Sequence, residues 1–565
     1  MSRLRDEGPA LAVLGLILVA GLVLRVLHND HGLPYVYYVD EGSHFTKRAV
    51  EVFRDPNPGY FQNPSAYTYL LHLVYRVVSI PKGGGEAVID GYLGNASWVF
   101  EVSRALAAVL CLVGVAAVYY VGRQLWDRRT GLVAAAVLCF AFLPVAFSRL
   151  AVTDVGTLAP VALVLLFSVR IAERGGWRWC AAAGAAAGLA IGFKYTAGLV
   201  LLVPALAVAL PLLARRDRDA LRTARLGALA LAGGTFATFF VTNPFFFLDL
   251  DSALHQLRGQ AQLAGNQDKF GQENDTGPLY YLDSLMWGLG YVAAACAAAG
   301  AVLLARRDRV RTALLLAFPI ALFLYLSVQS RFFGRWLLPV YPALALLAGY
   351  AFVRGLDALR ARAPAMQWPA IGVGAALLLW QPLAADARSM AVLGNEDTRA
   401  IARRWLADHY PRGLRIVIEP AVPERYYWPV RDGRPKKLEQ AQFVNELIRD
   451  VREDHVEYGR TLRPQALDDY RRRGYCTVMT FDLIRGRAVA GGDRAALAYY
   501  DRLERESELV YAVSPYRADA DPPGFSFDLS YSYYSPAYER PGPAVQIHRL
   551  RDCTQRYGGA PESRG

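Results

Sequence analysis

The chain has 565 residues, 54% of them hydrophobic, with a formal net charge of +12 and six cysteines. Its apolar content dominates the first two thirds, which argues against a wholly soluble protein and for a polytopic membrane protein with a soluble appendage. The positive balance comes largely from arginines in short loops, so it points to membrane topology and anionic lipid and not to nucleic acid as a partner.

A hydrocarbon core of about 30 Å takes roughly 20 apolar residues in helix. About eleven stretches meet or approach that length, at 9–27, 99–122, 130–147, 155–172, 178–193, 195–213, 226–243, 282–304, 312–328, 336–354 and 368–386. The first follows Arg3 and Arg5 as a secretory signal would, but it is long and is followed by His28, Asn29 and Asp30 instead of a small-residue cleavage site. It is therefore expected to be a retained helix. With the N-terminus cytoplasmic, the loops near 123–129, 174–178, 215–225, 306–311 and 354–362 fall inside, and each is basic. Sparser charge falls outside, as the positive-inside tendency requires. The outer segments are then 28–98, 148–154, Lys194, 244–280 and 329–335, together with everything after 386. A multi-pass protein of a bacterial plasma membrane is the expected setting.

Past residue 386 charge rises and apolar runs shorten. Residues 387–557 read as a soluble extracytoplasmic α/β domain, with helices at 398–409, 436–451 and 495–505 and strands at 414–419, 476–480, 508–513 and 544–550. The tail 558–565 reads as disordered. Cys111, Cys139, Cys180 and Cys296 fall in helices, where cysteine behaves as a small apolar residue. Cys476 and Cys553 are the two that could pair outside, although their spacing is not diagnostic.

Charged residues at the edge of hydrocarbon are costly unless solvated, paired or used. Asp40, Glu41 and His44 lie in the first outer loop, where they could ligate a metal or act as acid and base. The plainer reading is that Asp40 caps a helix at 41–53. Arg149 and Asp154 share the short turn 148–154, as a local ion pair, a cap or a site. Lys194, next to Tyr195, either snorkels or binds an anion. Arg331 and Arg335 are suited to phosphate through the guanidinium fork. The loop 244–280 is a lid, or carries a surface-lying amphipathic helix at 250–263. Carboxylates in the early outer loops and cations in the later ones fit a phosphate-bearing lipid substrate attacked with the help of a general base.

The ordered motifs Asp40-Glu41, Asn63-Pro64, Ser148-Arg149 through Asp154, Lys194-Tyr195, Asn243-Pro244, Tyr280-Tyr281-Leu282 and Arg335 to Pro339 resemble the GT-C membrane glycosyltransferases. They are most similar to the group of dolichyl-phosphate-mannose protein mannosyltransferases and lipid A aminoarabinose transferases. The resemblance implies a mainly α membrane protein, with a catalytic bundle of about eleven transmembrane helices in residues 1–386. It also implies an inverting hexosyl or pentosyl transfer from a polyprenyl-phosphate sugar to a lipid, glycan or protein hydroxyl. Asp40 would be the base, Glu41 its support and Asp154 a second acid orienting substrate. His44, Asn63, Arg149, Lys194, Tyr195, Arg331 and Arg335 would bind substrate, the cations holding the departing phosphate. Asp-Glu stands where metal-dependent relatives carry Asp-x-Asp, so no metal and no other cofactor is expected. A lipid transporter or flippase is the alternative, but the helix interiors are almost free of Lys, Asp and Glu, and the repeat symmetry such a path favours is not seen. A scaffold whose C-terminal domain binds a partner is a third reading.

Overall fold

In a computed structural model the described residues are 2–215, 217–266, 268–410, 414–419, 430–431, 434–435, 462–525 and 534–557. The helix expected at 436–451 and the tail 558–565 lie outside them. Among the described residues, eight helices are long and apolar enough to cross a membrane, or up to ten if each of two bent pairs is one span.

Three of the expected spans differ, each for a local reason. The run at 130–147 breaks at Ala141, whose extended backbone turns Arg128–Phe140 by 56° into Phe142–Ser148. That at 282–304 bends by 107° between Gly277–Leu289 and Tyr291–Ala305. The corner is Gly290 at φ +104°, a conformation side-chain-bearing residues rarely adopt. Residues 178–193 are helical as expected, in Trp177–Phe193, but at 17 residues the helix is short for a span.

This short helix owes its place to close packing. A Cβ on Gly184 or Gly188 would lie 2.2 or 2.4 Å from the carbonyl oxygens of Leu231 and Thr235, and one on Gly234 would lie 2.4 Å from that of Ala181. Only hydrogen fits there, so Trp177–Phe193 and Arg218–Thr242 meet backbone to backbone, as membrane helices with small-residue faces do.

The basic loops gather on one face. Three helices there begin directly after an aspartate, and Asp127, Asp217 and Asp308 accept from the backbone N–H of Thr130, Ala220 and Arg311 at 2.8, 2.6 and 2.8 Å. Arg129 reaches Asp357 at 2.9 Å, Arg354 reaches Asp127 at 3.1 Å, and Arg311 reaches Glu173 at 2.6 Å. These pairs are partly exposed and add little stability. They nonetheless bring the loops after 123, 173, 306 and 354 to one side, as the alternation of basic loops requires.

On the other side stands the C-terminal domain, beyond the long helix Gln367–Leu393. Strands β1 (Ile416–Ile418), β4 (Thr477–Phe481), β5 (Ser507–Val513) and β6 (Val545–Leu550) form a sheet in the order β1-β4-β6-β5, with β1 parallel to β4 and the other pairs antiparallel. A separate short pair joins β2 (Val430–Arg431) to β3 (Arg434–Pro435). Thr398–His409, Ala466–Arg473, Asp482–Gly491 and Arg494–Glu506 supply the helices of this α/β unit. Its core includes Val478, Met479, Tyr499, Leu503 and Ile547. Cys476 and Cys553 form a disulfide with Cα atoms 5.6 Å apart, tying the start of β4 to the chain after β6.

Candidate active site

The site forms where the segments expected outside the membrane meet. Residues Glu41–Phe45 make one wide helical turn that runs into Thr46–Glu51. Asp40 stands at its N-terminus without making a side-chain cap hydrogen bond, contrary to the plain capping reading. Its carboxylate instead meets the Arg335 guanidinium at 2.5 Å and His44 Nε2 at 3.5 Å. Burial would raise the Asp40 pKa, but the Arg335 charge and then the His44 contacts hold it well below the usual carboxylate range. His44 stacks on the Tyr60 ring with centroids 5.0 Å apart, and Asn63 Nδ2 donates to the Tyr60 hydroxyl at 2.6 Å.

Arg335 lies in the tight helical turn Gly334–Val340 that opens the following long helix. It also donates to the Tyr38 hydroxyl, and its guanidinium lies 5.3 to 6.0 Å from the ring centroids of Phe333, Tyr38 and Phe147. Aromatic faces thus hold the cation while its polar edge remains directed at Asp40. Asp154 begins a second tight turn, Asp154–Thr157, and pairs with Lys194. Lys194 occupies the extended residue between Trp177–Phe193 and the turn Tyr195–Leu201. Lys194 and Arg335 each feel both Asp40 and Asp154, so two carboxylates and two cations form one electrostatic cluster. The sequence separation between Asp40 and Arg335 shows how completely this arrangement depends on the fold.

Other expected site residues lie apart from the cluster. Glu41 is fully buried and turned away from Asp40: its Oε1 and Oε2 accept from Arg104 Nε and Nη2 at 2.6 and 2.9 Å, and Oε1 accepts from Ala151 N–H at 2.9 Å. Arg104 Nη1 also donates to the carbonyls of Asn29 and His31 at 2.6 and 2.9 Å. Glu41 therefore fastens the first loop to the 148–154 turn and to the helix Ser97–Leu125. Arg149 does not pair with its neighbour Asp154; it donates to the Leu24 carbonyl at 2.7 Å and to Ser389 Oγ at 3.2 Å. Tyr195 bonds the Phe61 carbonyl at 3.1 Å, and Arg331 is half-buried four residues before Arg335. Arg104 escaped sequence reading because it lies inside an apolar helix and not in a loop between helices. Tyr38 and Tyr60 escaped because ring contacts leave no spacing signature.

The segment expected to be a lid is the helix Leu250–Asn266 followed by a pinned turn. Gln256 accepts from Phe61 N–H at 2.8 Å, Ser330 N–H donates to the Ala264 carbonyl at 2.8 Å, and Gln272 bonds both the carbonyl and the N–H of Phe332 at 2.7 and 3.1 Å. It bridges the first loop to the strap carrying Arg331 and Arg335.

A divalent metal would need several oxygen or nitrogen ligands free to converge on it. Among the described residues no group of three or more His, Cys, Asp and Glu side chains could hold one. Asp40 and Asp154 each face a cation, so this donor set does not fit a metal centre.

A family model for dolichyl-phosphate-mannose-protein mannosyltransferase matches residues 93–241, which cover the helix bearing Arg104, the turn bearing Asp154, and Lys194. Together with solved structures that align over nine tenths of the chain, it defines the architecture as that of the GT-C membrane glycosyltransferases. The oligosaccharyltransferase of Archaeoglobus fulgidus in its apo form superposes with a TM-score of 0.55 at 14% identity, covering 91% of this chain and 74% of that one. The oligosaccharyltransferase AglB from the same organism, with an inhibitory peptide and a dolichol-phosphate, gives 0.54 at 14% identity, covering 90% and 74%. ArnT from Cupriavidus metallidurans bound to undecaprenyl phosphate aligns over 97% of this chain and 98% of its own at 15% identity, with a TM-score of 0.48. A search of curated proteins by sequence finds no match.

Proposed function

We propose that the chain transfers a sugar from a polyprenyl-phosphate donor to an acceptor hydroxyl on the extracytoplasmic side, with inversion at the anomeric carbon. The observation that carries this reading is the Asp40–Arg335 pair beside Asp154 and Lys194, an ionised carboxylate with cations close by. Asp40 takes the proton of the acceptor hydroxyl as its oxygen forms the bond to the anomeric carbon. The electron pair of the breaking bond leaves on the polyprenyl phosphate, whose charge Arg335 and Lys194 stabilise. Asp154 holds Lys194 and orients the substrate. His44 and Tyr60 border Asp40 on its acceptor side, and Arg331 extends the cationic strap.

Arg335 then has two successive partners. Before the donor binds it holds Asp40, which keeps that carboxylate a weak base; a donor phosphate competing for the guanidinium leaves Asp40 more basic when the acceptor needs it. Support comes from the fold shared with AglB, whose solved complex contains a dolichol-phosphate. The basic face would be cytoplasmic by the positive-inside tendency, which leaves the site and the C-terminal domain outside.

The test is mass spectrometry of lipid-linked and envelope glycans from cells with and without the gene. Loss of one sugar from an envelope glycan together with accumulation of its polyprenyl-phosphate form is expected. Unchanged glycans and lipid carriers in the absence of the gene would refute the reading.

A further inference from the structure

A cavity of about 410 Å³ lies between the membrane helices and the C-terminal domain. Its membrane-side wall includes Tyr38, whose hydroxyl takes a hydrogen bond from Arg335, and Arg149. Its other wall comes from the C-terminal domain, with Asp482, Tyr516, Tyr534 and Tyr538. The cavity thus adjoins the Asp40 cluster through Tyr38, and the Glu41–Arg104 pair lines it as well.

The lining has two characters. Tyr516 and Tyr538 meet edge to face at 4.9 Å, and Tyr534 and Tyr538 at 5.3 Å, building an aromatic wall. Polar groups stand within that wall: Tyr516 donates to Asp482 Oδ2 at 2.8 Å, and the other oxygen of Asp482 accepts from Ala544 N–H at 2.9 Å. Arg149 lines the same cavity and is only 3% exposed. A prenyl chain would leave these polar groups unmet. A bare phosphate offers nothing to the ring faces. Sugars present both: C–H faces that pack on aromatic rings and hydroxyls around the edge that bond tyrosine, carboxylate and guanidinium.

We propose that this cavity binds a saccharide. On the transferase reading above, on which this step rests, the saccharide is the acceptor, so the acceptor is a glycan and the C-terminal domain selects it.

The full-length protein in nanodiscs, applied to an array of manno-, galacto-, gluco- and arabino-oligosaccharides, tests this directly. Wild type should retain one or more of these oligosaccharides. Tyr538→Ala and Arg149→Gln, each verified as folded by thermal melting, should bind them roughly ten-fold or more weakly, as expected for the loss of a buried anchor. Tyr538→Phe, which keeps the ring, should bind within a few-fold of wild type. No retention of any oligosaccharide by wild type would overturn the proposal, as would binding that both Tyr538→Ala and Arg149→Gln leave intact. Oligosaccharides that bind but receive no sugar from a polyprenyl-phosphate donor would overturn the transferase reading and leave the saccharide site standing. Transfer to a non-saccharide acceptor without oligosaccharide binding would do the reverse.

Discussion

Adjacent in the chain, Asp40 and Glu41 carry the same charge and have opposite fates. The turn that begins at Glu41 directs it inward to Arg104, while Asp40 remains half-exposed against Arg335. Removing one partner of a buried ion pair leaves the other charge uncompensated, at a cost of about 3–5 kcal/mol. Glu41→Gln should therefore lower the melting temperature markedly, whereas Asp40→Asn should leave it near wild type; equal melting of the two would show that Glu41 carries no such structural load. The depressed pKa of Asp40 has a kinetic consequence. Because the group is ionised well below the ordinary carboxylate range, the acid limb of kcat/KM, which reports the free enzyme, should lie below that range. Arg335→Gln removes the charge that lowers it and leaves the burial that raises it, so the limb should move upward by about one unit or more. A limb that does not move would separate Asp40 from the rate. The residues of the cluster were legible in sequence because ionised side chains at the edges of apolar runs stand out there. Which of two neighbouring carboxylates faces Arg335 was not, since that depends on the pitch of one turn.

Among the elements, the apolar runs marked nearly every helix, but the two sharp bends were hidden: Ala141 and Gly290 change direction without interrupting hydrophobicity. Gly188 offers a test of the backbone-to-backbone packing. Leucine there would drive a side chain into the Thr235 carbonyl, and Gly188→Leu should destabilise the protein by about 1–3 kcal/mol or more, read as a lower midpoint in a detergent melt. An unshifted midpoint would mean that the two helices part easily. In the C-terminal domain the strands were legible from short β-rich runs, but the sheet order was not, because β1 pairs with β4 across a long stretch of chain. Glu419, directly after β1, is a buried carboxyl pushed up to about 8, mainly by burial and against hydrogen bonds from Tyr500 and Phe481 N–H. Unfolded, it would titrate near the usual value of about 4.3. Between those values the folded state binds more proton, so this group's contribution to stability falls as pH rises from about 4.5 towards 8. Thermal melts across that range should show the decline, and Glu419→Gln should flatten it; a wild-type curve that rises over the same range would contradict the assignment.

As a whole, the molecule joins a membrane bundle to an α/β domain through contacts from the first loop and from the 244–280 segment: Arg399 lies 3.9 Å above the Tyr37 ring, and Asn274 Nδ2 reaches the Ala490 carbonyl at 2.7 Å. Membrane class and the basic character of one face were readable from composition and loop charge. The joint was not, since its aromatic and arginine contacts have no periodicity. The same joint sets the Asp40 loop beside the cavity at the C-terminal domain, so the account turns on what Asp40 does. The most direct measurement is release of polyprenyl phosphate from a polyprenyl-phosphate sugar by the purified protein in the presence of acceptor. Wild type should turn over, and Asp40→Asn, equally folded, should lose about 100-fold or more of that rate, in keeping with the loss of a positioned general base. Full transfer by Asp40→Asn would contradict the account.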